Sequence, residues 1–262
     1  MGGGEPRRTM MSDKPLGRFT WHELMTSDPD AARDFYTRLV GWGTSIWDSG
    51  KDPYEMWMNG EMPVGGLMGL PTPEVPPCWL SYLSTPDLDE TLASVRRLGG
   101  TVLQEMAVPE VGRFAVLQDP QGGVFAVIEP EGDAAGHDGP AEVGEFSWRD
   151  LATTDMDAAW AFYSEVFGLD AANRMDMGPN GFYQMFSRGA HPLGGIYNAP
   201  DGMPPGWLLY IRVPDAHAAA EAVKEMGGQV LNGPMEVPGG DFIAQCLDAQ
   251  GVPFAVHSVT NG

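Results

Sequence analysis

The chain has 262 residues, 43% of them hydrophobic, which is enough for two domains of ordinary size with substantial cores. Its 36 acidic residues against 15 basic ones leave a formal charge of -21. Such a charge argues against nucleic acid as a partner, because that binding depends on neutralising phosphates with Lys and Arg. No apolar run approaches a membrane span and no secretory signal opens the chain, so we expect a cytoplasmic protein that does not bind membranes.

The first part of the chain predicts a strand, a helix and three more strands. Residues 1–16 are expected to form a flexible leader, and the alternating segment FTWHELMT, from Phe19, reads as a strand. Asp28 and Pro29 supply an N-cap and a first-turn proline for a helix that Gly41 can end. Short strand candidates then follow at Ser45–Trp47, Tyr54–Met58 and Val64–Met68.

The next segment repeats the same order of elements. A strand at Trp79–Ser84 leads to an N-cap at Asp87 and a helix over Leu88–Leu98, which the pair Gly99-Gly100 can end. Three strands fit at Thr101–Met106, Phe114–Gln118 and Val124–Glu129. The pattern is therefore βαβββ, twice.

The whole pattern is then written a second time. Trp21 matches Trp148 and the pair Phe35-Tyr36 matches Phe162-Tyr163, each 127 residues later, while PVGGLMGLP returns as PLGGIYNAP at an offset of 129. Offsets this constant indicate two copies of one fold with small loop differences. We predict a first domain over 17–130, a solvated linker over 131–142 and a second domain over 143–260.

Cys78 and Cys246 are far apart and belong to no Cys/His cluster, so two reduced thiols in or near strands are expected.

Three features carry a family resemblance: the four βαβββ units, the Phe-Tyr pairs and a DPQG turn from Asp119. In these features the chain resembles the vicinal oxygen chelate superfamily, which includes glyoxalase I, extradiol dioxygenases and bleomycin-resistance proteins. The likeness is closest to its tandem glyoxalase-like or hydroxylase-like branch. It implies an α+β fold of four βαβββ modules in two tandem domains, each a curved mixed sheet with helices on the convex side.

Assembly follows from the same resemblance. Single-domain relatives must dimerise to bring four modules together, whereas this chain already holds four. A pseudo-twofold monomer is therefore expected, with a homodimer of such chains as the alternative.

The resemblance also implies a divalent metal in the concave face of each sheet, held by His, Gln or Glu. The residues at those positions cannot ligate a cation. They are Trp21, Trp79 or Leu80, Ala126 and Gly65-Gly66 in the first half, and Trp148, Trp207 or Leu208, Ala255 and Gly194-Gly195 in the second. We therefore expect no metal and no cofactor. Each concave face is either an aromatic pocket or a core that its own Trp side chains fill.

Strand alternation selects the candidate site residues. Glu23 and Asp150 are expected to share the concave face with the Trp two residues before each of them, whereas His22 should point towards the helices. A carboxylate beside indole would have a raised pKa and could act as an acid or base, bind a cation, or simply pair with a nearby arginine. Further candidates are His257 as a catalytic group, and Trp21, Trp148, Trp79, Trp207, Tyr82 and Tyr210 as ligand-binding residues.

Two functions follow from these candidates. The first is a metal-free protein that binds a small aromatic or cationic molecule in its Trp-lined concave pockets. The second is a metal-independent hydroxylase, isomerase or lyase of specialised metabolism that uses Glu23, Asp150 or His257 as acid or base. A metal-dependent lyase or dioxygenase, and a purely structural role for the paired halves, are further alternatives.

Overall fold

The computed structural model describes residues 15–48 and 53–260, so most of the predicted leader lies outside the described residues. The first half contains β1 (Phe19–Thr26), α1 (Pro29–Val40), β2 (Gly43–Asp48), β3 (Pro53–Asn59), β4 (Met62–Gly69), β5 (Cys78–Ser84), α2 (Leu88–Arg97), β6 (Thr101–Val108), β7 (Gly112–Gln118) and β8 (Val124–Pro130). The second half contains β9 (Phe146–Thr153), α3 (Met156–Phe167), β10 (Asp170–Asp176), β11 (Phe182–Arg188), β12 (His191–Asn198), β13 (Gly206–Arg212), α4 (Ala216–Glu225), β14 (Gln229–Glu236), β15 (Phe242–Leu247) and β16 (Pro253–Ser258).

Each half forms one eight-stranded sheet with the same strand order. The first sheet runs β2-β3-β4-β1-β5-β8-β7-β6, and the second repeats this order with β10-β11-β12-β9-β13-β16-β15-β14. β1 is parallel to β4 and antiparallel to β5, so the sheet is mixed. The predicted α+β fold of four βαβββ modules in two tandem domains is confirmed.

Each of the four α-helices in the described part of the chain begins after an aspartate cap. Asp28 accepts a hydrogen bond from the backbone N–H of Ala31 at 3.1 Å, and Asp87 accepts one from Glu90 at 2.9 Å. Asp155 and Asp215 repeat the arrangement in the second half. These caps satisfy backbone donors that have no partner within the first turn of a helix.

The two halves pack back to back and share both of their hydrophobic cores. One core joins α1 and β1 of the first half to α4, β13 and β16 of the second, and the other joins α2 and β8 to α3 and β12. The largest fully buried side chains of these cores are Trp42, Trp57, Tyr36, Tyr163, Phe125, Phe167, Phe186 and Phe254. The convex faces therefore meet in the interior, and the concave faces point outwards.

The repeated Phe-Tyr pair has a reciprocal role in this packing. The Tyr36 hydroxyl donates to the carboxylate of Asp248 in the second half at 3.3 Å, and Tyr163 donates to Asp119 in the first half at 2.9 Å. Each aspartate opens the turn before the last strand of its sheet, and it also accepts backbone N–H groups of that turn. A helix in one half thus holds a turn in the other.

His22 and Arg149, which occupy equivalent positions in the two copies, meet between the sheets. His22 Nδ1 lies 3.0 Å from Ser81 Oγ, and Arg149 donates to His22 Nε2 at 3.3 Å while its guanidinium covers the ring of Phe19. Burial, together with the charge of Arg149, lowers the pKa of His22, so the neutral ring can accept this hydrogen bond. His22 is on the convex side, as strand alternation predicts.

The predicted places of Trp79 and Trp207 in the concave pockets are wrong. β1 pairs with β5 so that Leu80 lies opposite Glu23 and Trp79 opposite Leu24, which puts Trp79 on the convex face. Its indole N–H donates to the Tyr36 hydroxyl at 3.1 Å inside the shared core. The Trp207 ring packs in the other core, with its centroid 5.3 Å from that of Tyr163.

The segment 131–142, predicted as a solvated linker, contains no helix or strand, but it forms hydrogen bonds with both halves. Asp138 accepts hydrogen bonds from Arg18, at 3.0 Å, and from Arg188.

Cys78 in β5 and Cys246 in β15 are free thiols. Within residues 15–48 and 53–260, no helix has both the length and the apolar character that a membrane crossing requires.

Candidate functional site

The concave face of the first sheet carries a carboxyl group beneath aromatic rings. We call the surface formed by Trp21, Glu23, Tyr54 and Tyr82 the first trough. β1 contributes Trp21 and Glu23, β3 contributes Tyr54, and β5 contributes Tyr82 directly opposite Trp21. The three aromatic side chains are partly exposed, whereas Glu23 is only 5% exposed.

A short chain of hydrogen bonds fixes the carboxyl group of Glu23. The Tyr54 hydroxyl donates to Glu23 Oε2 at 2.5 Å, and the Trp21 indole N–H donates to the Tyr54 oxygen at 2.9 Å. The other carboxyl oxygen, Oε1, is buried and has no hydrogen-bond partner among the described residues. A buried acceptor without a partner is costly, so Oε1 is an atom of the first trough that an added hydrogen-bond donor would stabilise.

Burial raises the pKa of Glu23 to about 7, although the hydrogen bonds from Tyr54 and Trp21 act in the opposite direction. Near neutral pH the group is therefore present in both protonation states. The ionised form can accept a hydrogen bond from a cation or a hydroxyl, and the protonated form can donate one.

Gly66 in β4 makes room for this arrangement. A Cβ atom at Gly66 would lie 1.8 Å from the Tyr54 hydroxyl oxygen and 2.5 Å from Glu23 Oε1. The equivalent Gly195 in β12 is covered in the same way by the ring of Tyr183. In both sheets the glycine thus leaves room for the bulky tyrosine of the adjacent strand.

Gly66→Ala should displace Tyr54 from Glu23 and lower the free energy of unfolding by about 1–3 kcal/mol, the usual cost of overpacking. Chemical denaturation measures this change. Gly69→Ala, in the same strand, is the matched control because a Cβ atom there meets nothing within 4 Å. Equal stability of the two variants would contradict the steric role of Gly66.

The concave face of the second sheet holds the equivalent carboxyl group, but this one is fully hydrogen-bonded. We call the surface formed by Trp148, Asp150, Tyr183 and Tyr210 the second trough. Tyr183 and the Trp148 indole donate to Asp150 Oδ1 at 2.6 and 3.0 Å, and Tyr210 donates to Oδ2 at 2.7 Å. Burial raises the pKa of Asp150, against the effect of these hydrogen bonds.

His257, the third predicted catalytic residue, is not hydrogen-bonded to Asp150. Its Nδ1 lies 2.9 Å from Ser147 Oγ and its Nε2 lies 3.2 Å from the carboxylate of Asp241. Both ring nitrogens are therefore engaged with other groups. Its catalytic role stays a prediction, as do the ligand-binding roles of the trough residues.

Sequence reasoning missed Tyr54 and Tyr183, which bind the two carboxyl groups directly. A signal for them was present, because these tyrosines are separated by 129 residues, the same offset as the glycine-rich segments. Strand pairing then brings each of them over a glycine of the adjacent strand and towards the carboxyl group.

The side chains that line the troughs do not provide the ligands needed for the divalent metal that the family resemblance implies. Each trough offers one carboxyl group among indoles and phenols, and the expected ligand positions Ala126 and Ala255 carry methyl groups. Among the residues that the structure describes, no group of three or more His, Cys, Asp or Glu could hold a metal ion. Metal sites of this type need several His or carboxylate ligands.

Two surface clefts lie away from the troughs. One, of about 490 Å³, follows β6 beside Arg96, and the other, of about 530 Å³, lies between Asp138 and Phe167. Their volumes exceed what a few water molecules need, but neither contains a carboxyl group as buried as that of Glu23. The chemistry of the chain therefore points to the troughs.

Comparison with known proteins agrees with the duplicated fold. Residues 145–256 match the model of the glyoxalase/bleomycin resistance protein/dioxygenase superfamily, and residues 21–128 match that of the glyoxalase-like domain. The anthracycline biosynthesis protein DnrV of Streptomyces peucetius is 38% identical over 265 residues, which cover 94% of each chain. CFP32 of Mycobacterium tuberculosis, a candidate glyoxylase, is 33% identical over 94% of this chain and 96% of its own.

Among solved structures, the Mn(II)-bound glyoxalase from Novosphingobium aromaticivorans is similar with a TM-score of 0.64. The alignment covers 95% of this chain and 83% of the glyoxalase, at 18% sequence identity, so the likeness concerns the fold. By sequence and by fold, the chain belongs to the glyoxalase/bleomycin resistance protein/dioxygenase group, the vicinal oxygen chelate superfamily, as a member with two tandem domains.

Proposed function

We propose that this protein binds a small aromatic molecule in a Trp-lined trough without using a metal. The observation that supports this most strongly is the buried oxygen Oε1 of Glu23, which has no partner among the described residues. It lies beside the indole of Trp21 and the phenol of Tyr54, whose rings are partly exposed. A ligand that displaces a covering ring as it binds can give this buried oxygen its missing hydrogen bond.

The same groups indicate the chemistry of the ligand. Partly exposed aromatic rings on the concave face favour a planar partner, and a carboxylate below them favours an amine or a hydroxyl group. The net charge of -21 would raise the local concentration of a cation. Two relatives are named for the biosynthesis of anthracyclines, which are planar fused-ring compounds. We therefore propose a planar aromatic ligand with an amine or hydroxyl donor.

Glu23→Gln is expected to weaken the binding of doxorubicin, an anthracycline with a primary amine, by about 10-fold or more. A hydrogen bond to a charged group contributes roughly 1.5–3 kcal/mol, and about 1.4 kcal/mol corresponds to a factor of ten. Fluorescence titration at pH 8 measures the affinity. Glu61→Gln is the matched control, since it removes the same charge from an exposed turn. Equal affinity of the two variants would refute the role of Glu23.

The pKa of about 7 for Glu23 supports a second candidate, a metal-independent enzyme that uses this carboxyl group as acid or base. Asp150 and His257 have less support for such a role because their polar atoms already have partners. Mass spectrometry of the same titration mixtures separates the two functions. Conversion of the ligand by the wild type, reduced about 100-fold or more in Glu23→Gln, would assign catalysis rather than simple binding.

A further inference from the structure

We infer that only the first trough offers a ligand a carboxyl oxygen that lacks a protein donor, and that one pair of equivalent residues, Val116 and Gln245, sets this difference. This inference rests on the proposed function. Val116 lies opposite Ala126 in the first sheet, and Gln245 lies opposite Ala255 in the second, so the two side chains have the same place in the two copies. The side-chain amide of Gln245 can form hydrogen bonds, whereas the side chain of Val116 cannot.

In the second trough, Gln245 determines where the hydroxyl group of Tyr210 points. The amide Nε2 of Gln245 donates to the Tyr210 oxygen at 2.9 Å, and the hydroxyl hydrogen is then directed to Asp150 Oδ2 at 2.7 Å. Because Tyr183 and Trp148 already occupy Oδ1, Asp150 has no oxygen without a partner. Tyr210 itself is only 2% exposed. The protein thus supplies the donor that a ligand would otherwise bring.

In the first trough, no described residue provides such an anchor. Tyr82 lies opposite Trp21, just as Tyr210 lies opposite Trp148, but its neighbour at the anchoring place is the apolar Val116. Within the described part of the chain, Tyr82 forms no hydrogen bond with Glu23, and its ring instead packs edge-on against Phe114 with centroids 5.9 Å apart. Tyr82 is also more exposed than Tyr210. Oε1 of Glu23 therefore has no donor among the described residues, and because this atom is buried, a ligand donor reaches it only when a covering side chain moves.

The second trough shows what the ligand of the first should look like. There, the phenol hydroxyl of Tyr210 completes the carboxyl group while its ring lies against the sheet. An aromatic molecule with a hydroxyl or amine donor on or near its ring would make the same contact with Glu23. The expected stoichiometry is consequently one ligand for each chain, although the chain carries two copies of the fold.

Isothermal titration with doxorubicin tests this inference on the full-length protein. The wild type should bind one equivalent, and Val116→Gln should bind at least 10-fold more weakly, because the new amide can direct Tyr82 onto Glu23. Val143→Gln, at an exposed position before β9, is the control for introducing a glutamine and should bind like the wild type. The double variant Gln245→Val/Tyr210→Phe, which frees Asp150 Oδ2, should bind a second equivalent.

The outcomes separate this inference from the proposed function. Two equivalents bound by the wild type, or unchanged affinity in a folded Val116→Gln variant, would overturn the inference while leaving ligand binding in place. No binding by the wild type would overturn both. Because the wild-type stoichiometry needs no substitution, the test remains decisive even where a variant fails to fold.

Discussion

Trp79→Ala is expected to lower the free energy of unfolding by about 3–5 kcal/mol, the usual loss when a large aromatic side chain is removed from a core. Trp79 is 5% exposed, and its ring centroid lies 5.3 Å from that of Phe146 and 5.4 Å from that of Tyr36. Its indole N–H also donates to the Tyr36 hydroxyl. The substitution therefore removes both packing and a buried hydrogen bond where the two halves meet.

Chemical denaturation of the full-length protein measures this loss. Trp21→Ala is the matched control, because the Trp21 ring lies in the first trough and is partly exposed. This variant should lose clearly less stability but bind doxorubicin more weakly. The opposite pattern, with Trp79→Ala stable and defective in binding, would restore the original prediction that Trp79 lines a pocket.

Glu23 should lower the free energy of unfolding by about 2.5 kcal/mol as the pH rises from about 5 to 8. The folded-state pKa of about 7 is above the value of 4.5 in the unfolded chain. The folded state therefore holds the proton more tightly, and its advantage disappears as the pH passes through the folded-state pKa. A difference of one pKa unit corresponds to about 1.4 kcal/mol.

Glu23→Gln isolates this effect. The pKa values of Asp150 and Asp248 are also raised by burial, so these groups contribute to the pH dependence in the same direction, whereas the lowered pKa of His22 acts in the opposite direction. These groups are unchanged in the variant, and the difference between the two profiles reports Glu23 alone. Denaturant midpoints at pH 5 and pH 8 should differ less in Glu23→Gln than in the wild type, and parallel profiles would contradict the raised pKa.

Much of the fold could be predicted because the sequence states it twice. The Asp caps, the glycines after the helices and the alternating strands gave the element order, and the constant offsets gave the duplication. The shared cores could not be derived in the same way. Tyr36 and Asp248 are far apart in sequence, and their contact depends on how the two sheets pack together.

The site was predicted less completely, for two physical reasons. Alternation along Trp79 and Leu80 defines two faces, but both residues are apolar, so the pattern does not indicate which one faces the core. In β1 the polar Glu23 between His22 and Leu24 gave a clearer pattern, and His22 and Glu23 do lie on opposite faces. The hydrogen bonds from Tyr54 and Tyr183 depend on strand register, which the sequence does not specify.

The shared cores have a consequence for how the two troughs came to differ. In a pair of identical subunits, every substitution appears in both copies. A residue that completes the hydrogen bonds of the carboxyl group in one trough therefore does the same in the other. Fusion of the copies into one polypeptide keeps them together at high effective concentration, since their association no longer depends on an encounter between separate molecules. It also releases them from that enforced symmetry. Val116 and Gln245 can then be inherited independently, so that the carboxyl group of Asp150 has hydrogen-bond partners on both oxygens while Oε1 of Glu23 has none among the described residues.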